Sequence, residues 1–283
     1  MTRLDVAPSR SLAGTRVALS VSESPDLDRL GLAADHCVRA VAEIARAVFI
    51  AGGELVYGGR IRDLGFTGTV LEEAANYGGP RRVLTLAVPH TEHYDVPREE
   101  ISALRERLGL GVNLVLLDSH GAEIGDDDPG PPAEPAVALT AMRRYVSAEC
   151  AARVVVGGKL TGYQGAVPGV LEEALESIHA GRPVFAAGGF GGAAAALARA
   201  LGFDDGGWRP ADVPEGADDA GALSVVREVI GLRDRLAPDG LTPPERSRLA
   251  ATHRPGDIAS MVVRGLSRAR AALPAPDADE SAD

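Results

Sequence analysis

Lysines, cysteines, aromatic rings and long apolar runs are all scarce in this chain of 283 residues. The formal net charge is -11, which argues against a nucleic-acid groove or an anionic membrane as the main partner. No apolar run reaches the roughly 18 residues of a membrane-spanning helix. Cys37 and Cys150 lie in helical patterns, typical of small buried residues in a reducing cytoplasm. We therefore expect a cytoplasmic protein that binds neither nucleic acid nor membranes.

Ligand spacings typical of metal sites are missing as well. The six histidines are scattered, and the nearest to a pair, His90 and His93, fits a polar loop better than a metal site. We predict no metal site and no bound cofactor. Aromatic residues make up only 4% of the chain against 45% hydrophobic residues, so the core is expected to be aliphatic.

Lysine is the rarest charged residue, because Lys159 is the single lysine among 29 Lys and Arg residues. It lies in residues 154–174, VVVGGKLTGYQGAVPGVLEEA, which predict a strand, a glycine-rich loop and a helix start. Glycine lets backbone N–H groups approach an anion, and a helix start offers unpaired donors. Lys159 is either a compact ammonium needed at an anion site or a chance exception on a loop.

Apolar strands alternate with helical patterns from residue 16 to residue 201, at the spacing of βα units. This predicts an α/β, Rossmann-like fold with a mostly parallel sheet, helices on both faces and a small C-terminal helical lobe. The predicted organisation is listed here: a flexible N-terminus at residues 1–14, a nucleotide-binding domain at 15–203, a linker and helical lobe at 204–273, and a disordered tail at 274–283.

Three of the predicted strands end in a glycine pair. The pairs are Gly58-Gly59, Gly157-Gly158 and Gly188-Gly189. Because the carboxyl ends of parallel strands share one edge of a sheet, three such corners favour an extended, phosphate-bearing ligand across that edge. The glycine spacing matches neither the dehydrogenase fingerprint nor a P-loop.

The motifs SVSES, VYGG with GFTG, AMRR, VVVGG, PGVLEEA and FAAGGFGG occur in this order along the chain. With them the chain resembles the SLOG superfamily, the Rossmann-like proteins that group the Smf/DprA proteins with the LOG nucleotide phosphoribohydrolases. The resemblance covers residues 16–201 and lies near the bacterial nucleotide-sensing branches associated with defence systems. It implies a sensor of a nucleotide or nucleotide sugar, such as ADP-ribose or cyclic ADP-ribose. Because ligand binding would be passed to the C-terminal lobe or to an oligomer, we also expect a homo-oligomer.

The glycine corners and the resemblance together predict one set of ligand-binding residues, and either Tyr163 or Phe66 is expected to stack on the base. The predicted ligand-binding residues are Ser22, Ser24, Gly58, Gly59, Thr67, Gly157, Gly158, Lys159, Tyr163, Gly165, Gly169, Gly188, Gly189 and Gly191.

The resemblance also implies an alternative function, a nucleoside 5′-monophosphate phosphoribohydrolase-like N-glycosidic hydrolase. The phosphoribohydrolase motif PGGxGTxxE places the catalytic glutamate at Glu173, and the helper arginine of the preceding helix at Arg143 or Arg144. Acids in the first turn of any helix are also favoured by the helix dipole, and VLEEA occurs a second time at residues 70–74. The sequence leaves the choice between sensor and enzyme open.

Overall fold

A computed structural model describes residues 10–61, 65–78, 81–125, 129–203 and 220–272. The predicted tail at 274–283, most of the predicted flexible N-terminus and the linker at 204–219 lie outside the described residues. None of the helices in the described residues is both long and apolar enough to cross a membrane.

Six strands form one sheet in the order β4-β3-β2-β1-β5-β6, and every pairing is parallel. The strands are β1 Arg16–Ser22, β2 Glu54–Gly58, β3 Leu84–Val88, β4 Val112–Leu116, β5 Ala152–Gly157 and β6 Val184–Ala187. The connecting helices are α1 Ala34–Ile50, α2 Gly65–Tyr77, α3 His90–His93, α4 Arg98–Leu108, α5 Pro135–Glu149, α6 Gly169–His179 and α7 Gly192–Ala200. The C-terminal helices are α8 Ala220–Gly231, α9 Pro243–Ala251 and α10 Pro255–Ala271. This arrangement confirms the predicted α/β, Rossmann-like fold.

The strands are runs of aliphatic residues because both faces of the sheet are covered. Along β1, Val17 and Leu19 pack in the cluster that contains α1 and α10, whereas Ala18 packs in the cluster with Met142 of α5. The C-terminal helices contribute to the core: α10 packs on α1, and α8 packs on α6 and α7. They complete the apolar clusters of the sheet.

The strand order reverses direction beside β1. Strands β2 to β4 follow on one side, and β5 and β6 follow on the other. Ser22, the last residue of β1, is paired with Gly157, the last residue of β5. In open α/β sheets, ligands bind in the crevice outside the carboxyl ends of the strands at such a reversal. The fold therefore places the expected binding site at the carboxyl ends of β1, β2 and β5.

Two element boundaries differ from the sequence prediction near this edge. The pattern predicts a glycine loop at 65–69 and a helix from Val70, but α2 begins at Gly65. A loop is expected at residues 91–96, but the short helix α3 occupies His90–His93. GFTG is thus the first turn of a helix, which brings Thr67 close to the end of β2.

Candidate functional site

The glycine pair at the end of β5 joins three elements at close range. Gly157 and Gly158 have φ values of 60° and 98°, which only glycine adopts readily. A Cβ on Gly158 would lie 2.8 Å from the Cβ of Ala193 in α7. The Gly158 N–H donates to the Ser22 carbonyl at 2.8 Å, and its own carbonyl accepts from the Ala193 N–H at 3.0 Å. These glycines are required for packing, and the Gly158 N–H is already used within the protein.

The start of α7 is closed by a carboxylate that the sequence prediction missed. Asp26 is fully buried and accepts a hydrogen bond from the Gly192 N–H at 2.7 Å. Ser24 is also buried, and its hydroxyl accepts from the Asp26 N–H at 3.2 Å. Because a side-chain carboxylate satisfies the helix start, Ser24 and Gly191 serve the α7 cap.

Two side chains at this corner remain open to solvent. Ser22 is half-buried and donates to the Glu23 carbonyl at 3.3 Å. Lys159 is exposed, and it has no ion-pair partner among the residues that the structure describes. An unpaired ammonium beside a sheet reversal is suited to an anionic ligand.

Arg143 of α5 is buried between the loop after β5 and α6. It forms an ion pair with Glu172, whose other carboxylate oxygen accepts from the Thr140 hydroxyl. A Cβ on Gly165 would lie 3.0 Å from Arg143 Nη1, and one on Gly169 would lie 2.7 Å from Nη2. Both glycines therefore make room for the guanidinium of Arg143.

One donor of this guanidinium is unused. Arg143 Nε is buried and has no hydrogen-bond partner within the described part of the chain. It lies 3.9 Å from Oε1 of Glu173, a distance too long for a direct hydrogen bond. The structure thus brings Glu173 and Arg143 together and leaves a gap between a donor and an acceptor.

The second oxygen of Glu173 is held by side chains of β1 and β5. Oε2 accepts from the Ser20 hydroxyl and from Arg153 Nη1, the latter at 2.9 Å. Arg153 is 1% exposed and also donates to Ser177 at 2.6 Å and Ser147 at 3.0 Å. Burial lowers the pKa of the Arg153 guanidinium from its ordinary value, and the charge of Glu173 opposes that change. Glu173 is therefore the counter-charge of a buried arginine.

The end of β2 forms the side of the site across from β5 and Glu173. Tyr57 is 9% exposed; burial raises its pKa, Glu173 adds to the increase, and Arg60 and a hydrogen bond with Thr67 act against it. A Cβ on Gly59 would lie 3.3 Å from the Thr67 hydroxyl. A Cβ on Gly58 would lie 2.9 Å from the sulfur of Met142. Thr67 and Gly59 thus lie on the β2 side of the same edge as Glu173.

Three predicted residues pack against the C-terminal helices. Gly188 and Gly189 follow β6 on the predicted edge, but the end of α9 covers them, since a Cβ on either would overlap the backbone of Ala250 or Thr252. The hydroxyl of Tyr163 lies 2.5 Å from where a Cβ of Gly221 would be, so this ring is directed towards α8. We leave these three residues out of the candidate site.

The sequence prediction also missed Tyr57, Arg60 and Arg153. Arg153 carries a usable signal, because a charge inside the buried strand ARVVVG requires a partner. Arg60 lies next to Gly59 and reaches Gln164 in the loop after β5 at 3.5 Å. The described residues contain no group of three or more His, Cys, Asp or Glu side chains that could hold a metal ion.

Comparison with known families adds one finding. A family model described as SLOG cluster2 matches residues 11–209, which include all six strands. A search of curated proteins gives no match.

Proposed function

The chain belongs to the SLOG cluster2 family, and from this premise we propose that it is a sensor of a nucleotide or nucleotide sugar of the ADP-ribose or cyclic ADP-ribose type. The superfamily indicates nucleotide-related binding. The ligand would lie across the carboxyl ends of β2, β1 and β5, where the strand order reverses. The proposal includes a role in bacterial defence, the setting of the sensing branches that the sequence resembles.

The observation that carries the proposal is the gap between Arg143 Nε and Glu173 Oε1. A buried donor without an acceptor costs about 1–3 kcal/mol, and Arg143 Nε has no acceptor among the described residues. A hydroxyl both donates and accepts, so one ribose hydroxyl between these two atoms, which are 3.9 Å apart, would satisfy both once Arg143 or Glu173 moves enough to expose Nε, which is buried in the described structure. Lys159, exposed at the end of β5, would hold a phosphate of the same ligand.

Binding without turnover fits the way the glutamates are held. Both oxygens of Glu172 are used, one by Thr140 and one by Arg143. Glu173 keeps Arg153 neutralised. Neither carboxylate is free to exchange protons as a general acid or base without leaving a buried arginine unpaired.

Calorimetry and thermal shift with AMP, NAD, ADP-ribose and cyclic ADP-ribose test the proposal. We expect one of the last two to bind and to raise the melting temperature, and Lys159→Ala to weaken binding about tenfold or more, as for a lost charged contact. Arg107→Ala is the matched control. Arg107 is exposed in the last turn of α4, which leads into the amino end of β4 and is therefore at the opposite end of the strands from Lys159. A protein that binds none of the four compounds would overturn the proposal.

The hydrolase remains a second candidate because Glu173 has a second oxygen. Its side chain is 20% exposed, and Oε1 has no partner closer than Arg143 Nε in the described contacts. In that position a carboxylate would stabilise the positive charge that develops on a ribose during cleavage. Chromatography of the same four mixtures would show the released base. Release by the native chain that Glu173→Gln abolishes, in a sample whose folding is verified by circular dichroism, would favour the enzyme.

Signal output would use the contact between the sheet edge and the C-terminal helices. The end of α9 rests directly on Gly188 and Gly189 after β6, so a shift at the strand ends would be passed to α9. We further propose that the protein is a homo-oligomer. Light scattering after gel filtration, with and without the bound compound, would test this against a monomer of 29.2 kDa.

A further inference from the structure

A separate cavity lies at the amino ends of the strands, beside the start of β6. Its volume is about 580 Å³, within the range of small-molecule sites. Its walls are the turn before β6, the end of α7, the 3-10 turn Arg233–Arg235 and the start of α9. Since β6 runs away from this end, the cavity and the proposed nucleotide cleft lie at opposite ends of the strands.

The cavity is lined by three arginines and one acid. Arg246 is paired with Asp239 through two hydrogen bonds of 2.8 Å, so these two charges cancel. Arg182 and Arg233 have no carboxylate partner among the residues that the structure describes. Two positive charges therefore remain in the cavity of a chain whose net charge is -11.

Both of these arginines are held in place by the backbone. Arg233 donates to the carbonyls of Ala200 and Arg199 at 2.6 and 2.7 Å, at the end of α7. Arg182 donates to the Ala148 carbonyl at 3.3 Å, and its Nε is buried with no acceptor in the part of the chain that the structure describes. Guanidinium groups that are fixed by neutral carbonyls keep their full charge and lose little side-chain entropy when an anion arrives.

The remaining wall is apolar. Leu201, Phe203 and Leu236 line it together with prolines. An inorganic ion would leave this surface unused, whereas an organic body would cover it. We propose that the cavity is a second ligand site, for a small organic molecule that carries two negative charges, as a phosphate monoester or a dicarboxylate, on an apolar body.

Isothermal titration of the full chain with three aromatic probes tests this site. Phenyl phosphate and phthalate carry two charges on a ring, and benzyl alcohol is a neutral counterpart. We expect one of the two dianions to bind, which distinguishes a phosphoryl group from a dicarboxylate, and benzyl alcohol to bind at least tenfold more weakly.

Arg182→Gln should weaken the binding of that dianion about tenfold or more, because it removes a charged donor. Ser247→Glu is the second variant, since it adds a carboxylate to the lining while both arginines are kept, and it should weaken binding by at least the same factor. Lys159→Ala and Arg107→Gln should leave the affinity unchanged.

Three results would overturn the inference. They are no binding of either dianion, full binding by both Arg182→Gln and Ser247→Glu, and loss of binding in Lys159→Ala, which would place the probe in the nucleotide cleft. Failure of the nucleotide proposal would leave this site unaffected, because the two tests use different residues and probes.

Discussion

Glu173 contributes to the stability of the fold and also lies in the candidate site. One of its oxygens neutralises the buried guanidinium of Arg153, and the other faces Arg143 across the gap. A fully buried arginine in the middle of a strand is tolerated only with such a partner. The carboxylate at position 173 therefore has a structural reason to exist whether or not it takes part in a reaction.

We expect Glu173→Gln to destabilise the protein by about 3 kcal/mol, since it leaves the charge of Arg153 buried and unpaired. Urea unfolding measures this change. Glu176→Gln is the control, because Glu176 pairs with the exposed Arg144 and should cost less than about 1 kcal/mol. The double variant with Arg153→Met should lose clearly less than the sum of its two single variants. Equal, small losses for both glutamates would contradict this account.

At the scale of elements, the glycine pair after β6 serves close packing against the end of α9. We expect Gly189→Ala to destabilise the protein by about 1–3 kcal/mol through overpacking, because the new methyl would overlap the backbone at the end of α9. Gly256→Ala in the first turn of α10 is the control, since a Cβ there meets nothing within 4 Å. That change should be neutral or stabilise slightly. Thermal unfolding of the two variants measures the contrast, and a neutral Gly189→Ala would refute the packing role.

Glu245 of α9 links this helix to α10 through its carboxylate. Hydrogen bonds from the Thr242 N–H at 2.9 Å, from Arg264 at 2.9 Å, from the Thr242 hydroxyl at 3.0 Å and from Arg268 at 2.8 Å lower the pKa of Glu245 to about 2. A lowered pKa stabilises the fold above the ordinary value of 4.5, and the stabilisation is lost as the pH falls towards 2.

Glu245→Gln should accordingly lower the melting temperature at neutral pH. Its deficit relative to the native chain should shrink steadily as the pH falls from about 5 to about 2. Calorimetric melting curves of both proteins across this range measure the difference. A deficit that does not change with pH would show that the ionised form of Glu245 is not what matters.

The alternation of strand and helix patterns made most elements predictable from the sequence. The roles of the glycines were harder to predict, because close packing between elements also requires glycine. Strand β1 is found where the sequence places it, at Arg16–Ser22, because a run of apolar residues ends at a polar turn. The start of α2 was missed because Gly65 and Gly68 are typical of loops. Gly165 and Gly169 were assigned to a ligand, but in the structure they accommodate Arg143. That contact is between elements distant in sequence, and no local pattern records it.

For the whole molecule, two buried thiols contribute to the way in which the stability of the fold changes in alkali. Burial raises the pKa of Cys37 to about 11 and that of Cys150 to about 12, from an ordinary value of 9.0. Between these values the native protein holds protons that the unfolded chain releases. Stability is therefore complete below about pH 9 and declines as the pH rises towards 11 and 12.

From about pH 9 to pH 10 each thiol should cost about 1 kcal/mol of unfolding free energy. Urea titrations of the native chain and of the double variant Cys37→Ala/Cys150→Ala measure this. The variant starts from a lower stability but should lose less of it over that interval. An equally steep decline in both proteins would assign the alkaline sensitivity to other groups.

The contact between α1 and α10 has a consequence for biosynthesis. Helix α1 follows the first strand, whereas α10, which packs on it in addition to α2, is translated long after it. One edge of the central strand β1 likewise stays unpaired until β5 has been translated, because β5 is the strand that pairs with it. A nascent chain that has emerged as far as β4 thus exposes both an apolar helix face and an open strand edge, the two surfaces that most favour aggregation and chaperone binding. We expect ribosome-bound intermediates of this protein to depend on chaperones until α10 has been released.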